Sequence, residues 1–249
     1  MKKVCVTGAL GFAGFHLCNE LLEQGIEVIG IDQHDEKRAL EQEEMELRIG
    51  RNALFHLFKT TIEDLEKDKW KDLDVCFHMT PLESTALEEE KRILNLLMNN
   101  LSPRCTFIYP IYTAINDQPK LVNIEAEIKP YMRLISAYKI VELPNLYGPW
   151  HCEGLLDVDE SSLYIKDAVK GLVLAAKSSK KNEVIYLPTY YELNQKKSFY
   201  QTENRSSSGI EKAEEIGYMP EVEIEAGVAK CKEHMKQWQK QLDLLKGSD

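Results

Sequence analysis

The first thirty-two residues constrain the fold most. Lys3-Val4-Cys5-Val6 is a short apolar run of strand type, and Thr7-Gly8-Ala9-Leu10-Gly11-Phe12-Ala13-Gly14 follows it without a gap. Phe15 to Gln24 then carries apolar residues at helical spacing, with Gly25 where a helix C-cap belongs. Glu27-Val28-Ile29-Gly30-Ile31 is a second apolar strand ending on Asp32. A strand, a turn, a helix and a strand this close in sequence can close only as a parallel β-α-β unit.

The three glycines give that unit a chemistry. Gly8 permits a tight turn, Gly11 lets a diphosphate approach the backbone, and Gly14 lets the helix pack on the strand. The free amides at the start of the helix, aligned with its dipole, then face an anion. Asp32 stands where a carboxylate can accept hydrogen bonds from an adenosine ribose. Such a turn can also do no more than seat a helix. Here the strand before, the helix after and the acid at the end of the second strand point to a dinucleotide. Asp32 favours NAD over NADP, because a carboxylate repels a 2′-phosphate, although Lys37 and Arg38 follow closely.

Strands and helices continue to alternate. Charge crowds Gln33 to Gly50, which reads as a solvated helix or excursion, and Asn52 to Lys59 reads as a third strand. Thr61 opens a short helical turn ending near Trp70, and Asp74 to Met79 is a fourth strand. Glu83 to Leu101 is a long helix, with Leu87, Ile93, Leu94, Leu96, Leu97 and Leu101 inward. Cys105 to Tyr109 is a fifth strand stopped by Pro110, and a helix over Glu125 to Ser136 leads to a strand over Tyr138 to Leu143. Asp167 to Lys177 is a helix and Glu183 to Leu187 a late strand. The pattern predicts an α/β, Rossmann-like, doubly wound parallel sheet over residues 1–188, with a short insertion at 150–162. Residues 189–249 are expected to form a small, reduced C-terminal cap. Thr189 to Gly209 reads as polar and irregular, with a mobile Ser206–Gly209 tract, before a short helix over Ile210 to Ile216 capped by Gly217. The last helix carries Ile224, Val228, Cys231, Met235, Trp238, Leu242 and Leu245 on one stripe, to pack on the body or on a second subunit in a homodimer.

Composition narrows the function. Acids outnumber bases 41 to 31, for a net charge of −10, which argues against nucleic acid. No apolar run reaches membrane-spanning length, and the six cysteines form no CxxC pair, as suits reduced core thiols in a cytoplasmic protein. No metal site is assigned: His151-Cys152 are adjacent, a spacing that rarely converges on one ion. His78, ending a buried strand, reads as a satisfied core histidine, and Tyr109 as aromatic packing or a cleft wall.

In order along the chain, several segments resemble the NAD-dependent epimerase/dehydratase family, the extended branch of the short-chain dehydrogenase/reductases. They are the Gly8–Gly14 loop, Asp74-Val75-Cys76-Phe77-His78-Met79-Thr80, Asn145-Leu146-Tyr147-Gly148-Pro149, Tyr164 to Val169, and Ile216-Gly217-Tyr218-x-Pro220. The resemblance implies NAD as cofactor and a nucleotide-linked sugar as substrate. It places Gly8, Leu10, Gly11, Phe12 and Ala13 on the pyrophosphate, Asp32 and Gln33 on the adenosine ribose, and Thr61 and Ile62 beside the adenine. Met79, Thr80 and Pro81 would line the inner ribose, Pro144 the nicotinamide, and Asn145 and Trp150 the substrate.

The family's catalytic tyrosine and lysine lie four residues apart on one helix, and that pair is missing. Tyr131 is followed at that spacing by Ile135, and Tyr138 by Glu142. The serine-rich turn after the fifth strand is replaced by Pro110-Ile111-Tyr112-Thr113. Two readings stay open. One is an enzyme using Tyr131 or Tyr112 as acid/base with Thr113 orienting the substrate. The other is a catalytically inactive binding or scaffold protein, since a phenol without its lysine keeps a pKa of roughly 10 and is a poor base.

Overall fold

The computed structural model describes residues 1–80, 87–112, 126–151, 158–194 and 207–246. Its first unit is the expected one: β1 (Lys3–Thr7), α1 (Phe12–Glu23) and β2 (Glu27–Asp32). α1 buries Phe15, Leu17, Cys18, Leu21 and Leu22 against the sheet. It ends in a Schellman motif, Gly25 N–H to Leu22 O and Ile26 N–H to Leu21 O, which Gly25 permits at φ +72°.

The chain continues through α2 (Ala39–Ile49), β3 (Phe55–Lys59), β4 (Val75–His78), α3 (Leu87–Asn100) and β5 (Thr106–Tyr112). A short helix α4 (126–132) leads into β6 (Ala137–Leu143). Then follow β7 (Asn145–Tyr147), β8 (Ser162–Tyr164), α5 (Ile165–Lys177) and β9 (Glu183–Tyr186). The described chain closes with α6 (Tyr190–Asn194), α7 (Ser207–Glu215) and α8 (Ile224–Lys246).

Seven strands form one sheet in the order β3-β2-β1-β4-β5-β6-β9, every pair parallel. The order reverses between β1 and β4, so the crevice at their carboxyl ends is the topological switch point of a doubly wound fold. One core cluster joins α1, α5 and the carboxyl-terminal residues Ala213, Tyr218 and Cys231 to one face of the sheet. A second joins α3 and Ile128, Met132 and Ile135 to the other.

Five local expectations change. β5 runs through Pro110 to Tyr112, because beyond Ile108 it pairs with β6 alone, and an edge tolerates a residue without an N–H. β7 and β8 form a separate two-stranded parallel sheet that periodicity could not show in three residues each. Ser207, Ser208 and Gly209 open α7 instead of belonging to an irregular tract. In α3 the exposed Leu87 is not inward, while Glu90 is buried among Leu94, Leu97 and Met98. α8 turns Cys231 and His234 to the body and leaves Met235 exposed.

Candidate functional site

The turn between β1 and α1 is built almost entirely from backbone. Gly8 sits at φ +66°, and a Cβ there would lie 3.3 Å from the Thr80 amide nitrogen. Gly14 has no room at all: its Cβ would fall 1.8 Å from Gly8 O, so helix and turn touch main chain to main chain. Gly11 N–H donates to Gly8 O (3.0 Å), and the first intrahelical bond is Phe15 N–H to Gly11 O (2.9 Å). Gly11 is the N-cap, no side chain caps the helix, and its first turn holds no acidic residue. The amides at Phe12 and Ala13 therefore begin a helix whose positive end has no counter-charge of its own.

Asp32 closes one side of the turn. Its carboxylate accepts from Leu10 N–H (2.6 Å) and Gln33 N–H (2.8 Å). Burial pushes its pKa up, and the Leu10 and Gln33 amides oppose that shift. Arg38, just before α2, points Nη2 at Leu10 O (3.4 Å) and pairs with Glu41 (3.3 Å).

A cavity of about 360 Å³ opens at these carboxyl ends, lined by Thr7, Gly8, Asp32, Gln33, Thr61, Ile62, Thr80 and neighbours. Most of the proposed ribose and adenine residues thus share one wall-and-floor arrangement. Thr61 keeps its hydroxyl for Asp64 (2.7 Å) and so shapes the turn below Ile62. Arg92 of α3 forms the opposite wall, paired with Glu63 and Glu89. Sequence reasoning missed all three, because charged residues on an exposed-looking helix and turn carry no signal of a shared cavity.

The remaining candidates are dispersed. Leu10 and Met79 are buried behind the turn, and Phe12 packs its ring on His151 (centroids 4.8 Å apart). Pro144 is buried at the β6–β7 junction, with Asn145 exposed beside it. Tyr112 ends β5 with its backbone opposite Leu143, at the same edge as the cavity. Pro81 and Thr113 lie outside the described residues.

Two candidates sit elsewhere. Tyr131 stands near the end of α4: Leu134 N–H bonds to its carbonyl, and Ser136 N–H bonds to Pro103 O just before β5. That is the amino-terminal edge of the sheet, roughly 20 Å from the opposite edge across a seven-residue strand. Trp150 is 6% exposed within an aromatic cluster, against His234 (4.3 Å), Trp238 (5.2 Å) and the Arg48 guanidinium (5.1 Å). Lys139, the lysine nearest the family's position, is buried in β6 and donates to the Ala175 and Ser178 carbonyls at the end of α5. Burial lowers its pKa, and the nearby Glu183 partly offsets this.

What the site can do follows from its parts. It offers backbone donors for a diphosphate, an acid for ribose hydroxyls and a cavity of nucleoside size, so a nicotinamide dinucleotide fits it. Bound there, such a group supplies hydride transfer, and the chain's contribution is to hold and orient it.

Residues 4–105 match the model of the NAD dependent epimerase/dehydratase family. A search of curated proteins finds no match. Among solved structures the chain is similar to a UDP-glucose 4-epimerase of Thermotoga maritima determined with UDP-glucose (18% identity over 95% of this chain and 99% of that one, TM-score 0.61). It is also similar to an epimerase of Methanothermobacter thermautotrophicus (14%, 97% and 94%, TM-score 0.68). A third is yeast methylglyoxal/isovaleraldehyde reductase complexed with NADPH (12%, 96% and 100%, TM-score 0.66). At these identities the structural likeness is one of fold. By sequence over residues 4–105 the chain matches the NAD dependent epimerase/dehydratase family model, and over its described length it shares the fold of these structures.

Proposed function

We propose that the chain binds a nicotinamide dinucleotide, NAD in preference to NADP, and acts on a sugar carried on a nucleoside diphosphate. The observation that carries this is the uncapped start of α1 beside Asp32, at the mouth of a cavity lined by Gly8, Asp32 and Thr61. Gly11, Phe12 and Ala13 hold the diphosphate, Asp32 and Gln33 the adenosine ribose, and Thr61 and Ile62 the adenine. The Asp32 carboxylate favours a 2′-hydroxyl over a 2′-phosphate. The likeness to a UDP-glucose epimerase supports a nucleotide-linked sugar, which Asn145 meets from the start of β7. Acid/base work falls to the carboxyl end of β5, at Tyr112 and Thr113. The five cysteines among the described residues are buried and free, which suits a reducing compartment such as the cytoplasm.

A second reading has a specific observation behind it. Tyr131 stands at the far sheet edge and Lys139 is spent on α5, which favours a protein that holds the dinucleotide without turning it over. Titration calorimetry with NAD+ and NADP+ tests the shared claim. The wild type is expected to bind NAD+ more tightly and Gly11→Asp to bind neither, whereas equal behaviour of the two proteins removes the cofactor assignment. A panel of sugar nucleotides added to the NAD+-loaded protein separates the readings: NADH absorbance marks the enzyme, and its absence with intact binding marks the holder.

A further inference from the structure

Behind the cavity wall runs a buried polar chain that cofactor binding as described above does not use. Thr80, on the cavity, lies 3.1 Å from Thr7 Oγ1, which lies 2.6 Å from His78 Nδ1. His78 Nε2 lies 3.2 Å from Glu90 Oε1, and Tyr109 O–H donates to the same oxygen (2.9 Å). His78 is fully buried and Glu90 is 5% exposed, with Oε2 lacking any partner among the described residues. Core positions do not hold a glutamate by chance, because an unpaired buried carboxylate oxygen is costly.

The donor inventory fixes the direction of this chain. Glu90 Oε1 already accepts the Tyr109 proton, so towards His78 it accepts again, from Nε2, and Nδ1 is left as the acceptor facing Thr7. Thr7 must then donate to Nδ1 and accept from Thr80. Thr80 has spent its one proton on Thr7, so its hydroxyl has only lone pairs to offer to a ligand in the cavity that Thr80 lines. Glu90 and His78 therefore decide, through Thr7, the hydrogen-bonding sense of a side chain on the ligand surface.

We propose that Glu90, His78 and Thr7 are positioning residues that make Thr80 an obligate hydrogen-bond acceptor, selecting a ligand that presents a hydroxyl donor there. Given the dinucleotide reading on which this rests, the donor is a ribose hydroxyl.

The test reads the histidine directly. In ¹⁵N-histidine-labelled protein without ligand, long-range ¹H–¹⁵N spectra at neutral pH are expected to show His78 as the neutral Nε2–H tautomer. A Nδ1–H tautomer or an imidazolium overturns the proposal, and neither outcome depends on whether NAD+ binds. With NAD+ as probe, saturation is expected to shift the His78 Nδ1 resonance in the wild type and not in Thr80→Val. An unmoved resonance in a wild type that calorimetry shows to be saturated also overturns it, while absence of NAD+ binding counts against the dinucleotide reading alone. Thr7→Val frees the Thr80 proton and is expected to weaken NAD+ about tenfold, the worth of one hydrogen bond, with Thr7→Ser restoring it. Should Thr7→Val fold poorly, the Thr80→Val and Thr80→Ser pair gives the same loss and rescue.

Discussion

The amino-terminal and carboxyl-terminal halves of this sheet present their functional groups in opposite ways. Around β1, α1 and β2 the groups are main-chain amides, fixed by glycines, of which Gly14 leaves no room for a side chain: a Cβ there would lie 1.8 Å from Gly8 O. Around β5 and β6 the family that the chain resembles relies on side chains, and here several of the candidates for those positions stand elsewhere. Tyr131 is at the other edge of the sheet, Lys139 closes the end of α5, and Trp150 fills the space between α1, α2 and α8. A site made of backbone persists as long as the turn folds, because its geometry and its chemistry are one object. A site made of side chains can be lost one residue at a time while the fold stays intact.

The largest effect should come from breaking the first half. Gly14→Ala forces two backbone segments apart, and chemical denaturation is expected to show a loss of about 3 kcal/mol or more, the upper range for overpacking. A loss below about 0.5 kcal/mol would mean the turn yields easily and does not pre-form the site. In the second half, Lys139→Met leaves the Ala175 and Ser178 carbonyls without their ammonium and should cost about 1–3 kcal/mol. NAD+ affinity should meanwhile stay within about twofold, because one capped helix end is lost at the edge away from the cavity. If affinity falls with stability, the two halves are coupled and the contrast fails.

A pH prediction comes from the layer that joins the halves. Burial lowers the His16 pKa from 6.5 to about 4, despite its bond to Pro149 O (3.0 Å), with His234 and Lys166 adding repulsion. The folded value lies below the unfolded one, so the unfolded chain takes the proton first. Stability is therefore full above pH 6.5 and falls progressively as pH drops from 6.5 towards about 4. His16→Gln should flatten that part of a melting-temperature profile, and an unchanged slope would clear His16 of the effect. The smallest change is expected from Tyr131→Phe, within about 0.5 kcal/mol of wild type with NAD+ affinity unaltered. A marked loss of turnover in that variant would return Tyr131 to the active site and sharpen the comparison against the present account.

The same contrast explains what could be read from the chain. Gly8, Gly11, Gly14 and Asp32 were legible because the constraint on each is local: a turn, a close approach and an acid at a strand end. The doubly wound parallel sheet followed, since alternating strands and helices leave few topologies. Glu90 was not legible. At an inward helical position a glutamate reads as a surface residue, and its reason lies in His78 and Tyr109, distant in sequence and adjacent only after folding. His78 reads from sequence as a satisfied core histidine, and folding supplies its partners, Thr7 and Glu90. β7 and β8 escaped because Asn145-Leu146-Tyr147 and Ser162-Leu163-Tyr164 are too short for a period to register. Arg92 and Glu63 became cavity walls only when α3 and the turn after β3 met.

The most direct test is a crystal structure of the protein grown with NAD+. The diphosphate is expected on the Phe12 and Ala13 amides, with the adenosine ribose on Asp32 and the adenine beside Ile62. A turn occluded by a neighbouring side chain, or the dinucleotide bound elsewhere, would contradict the account and reduce the glycines to packing.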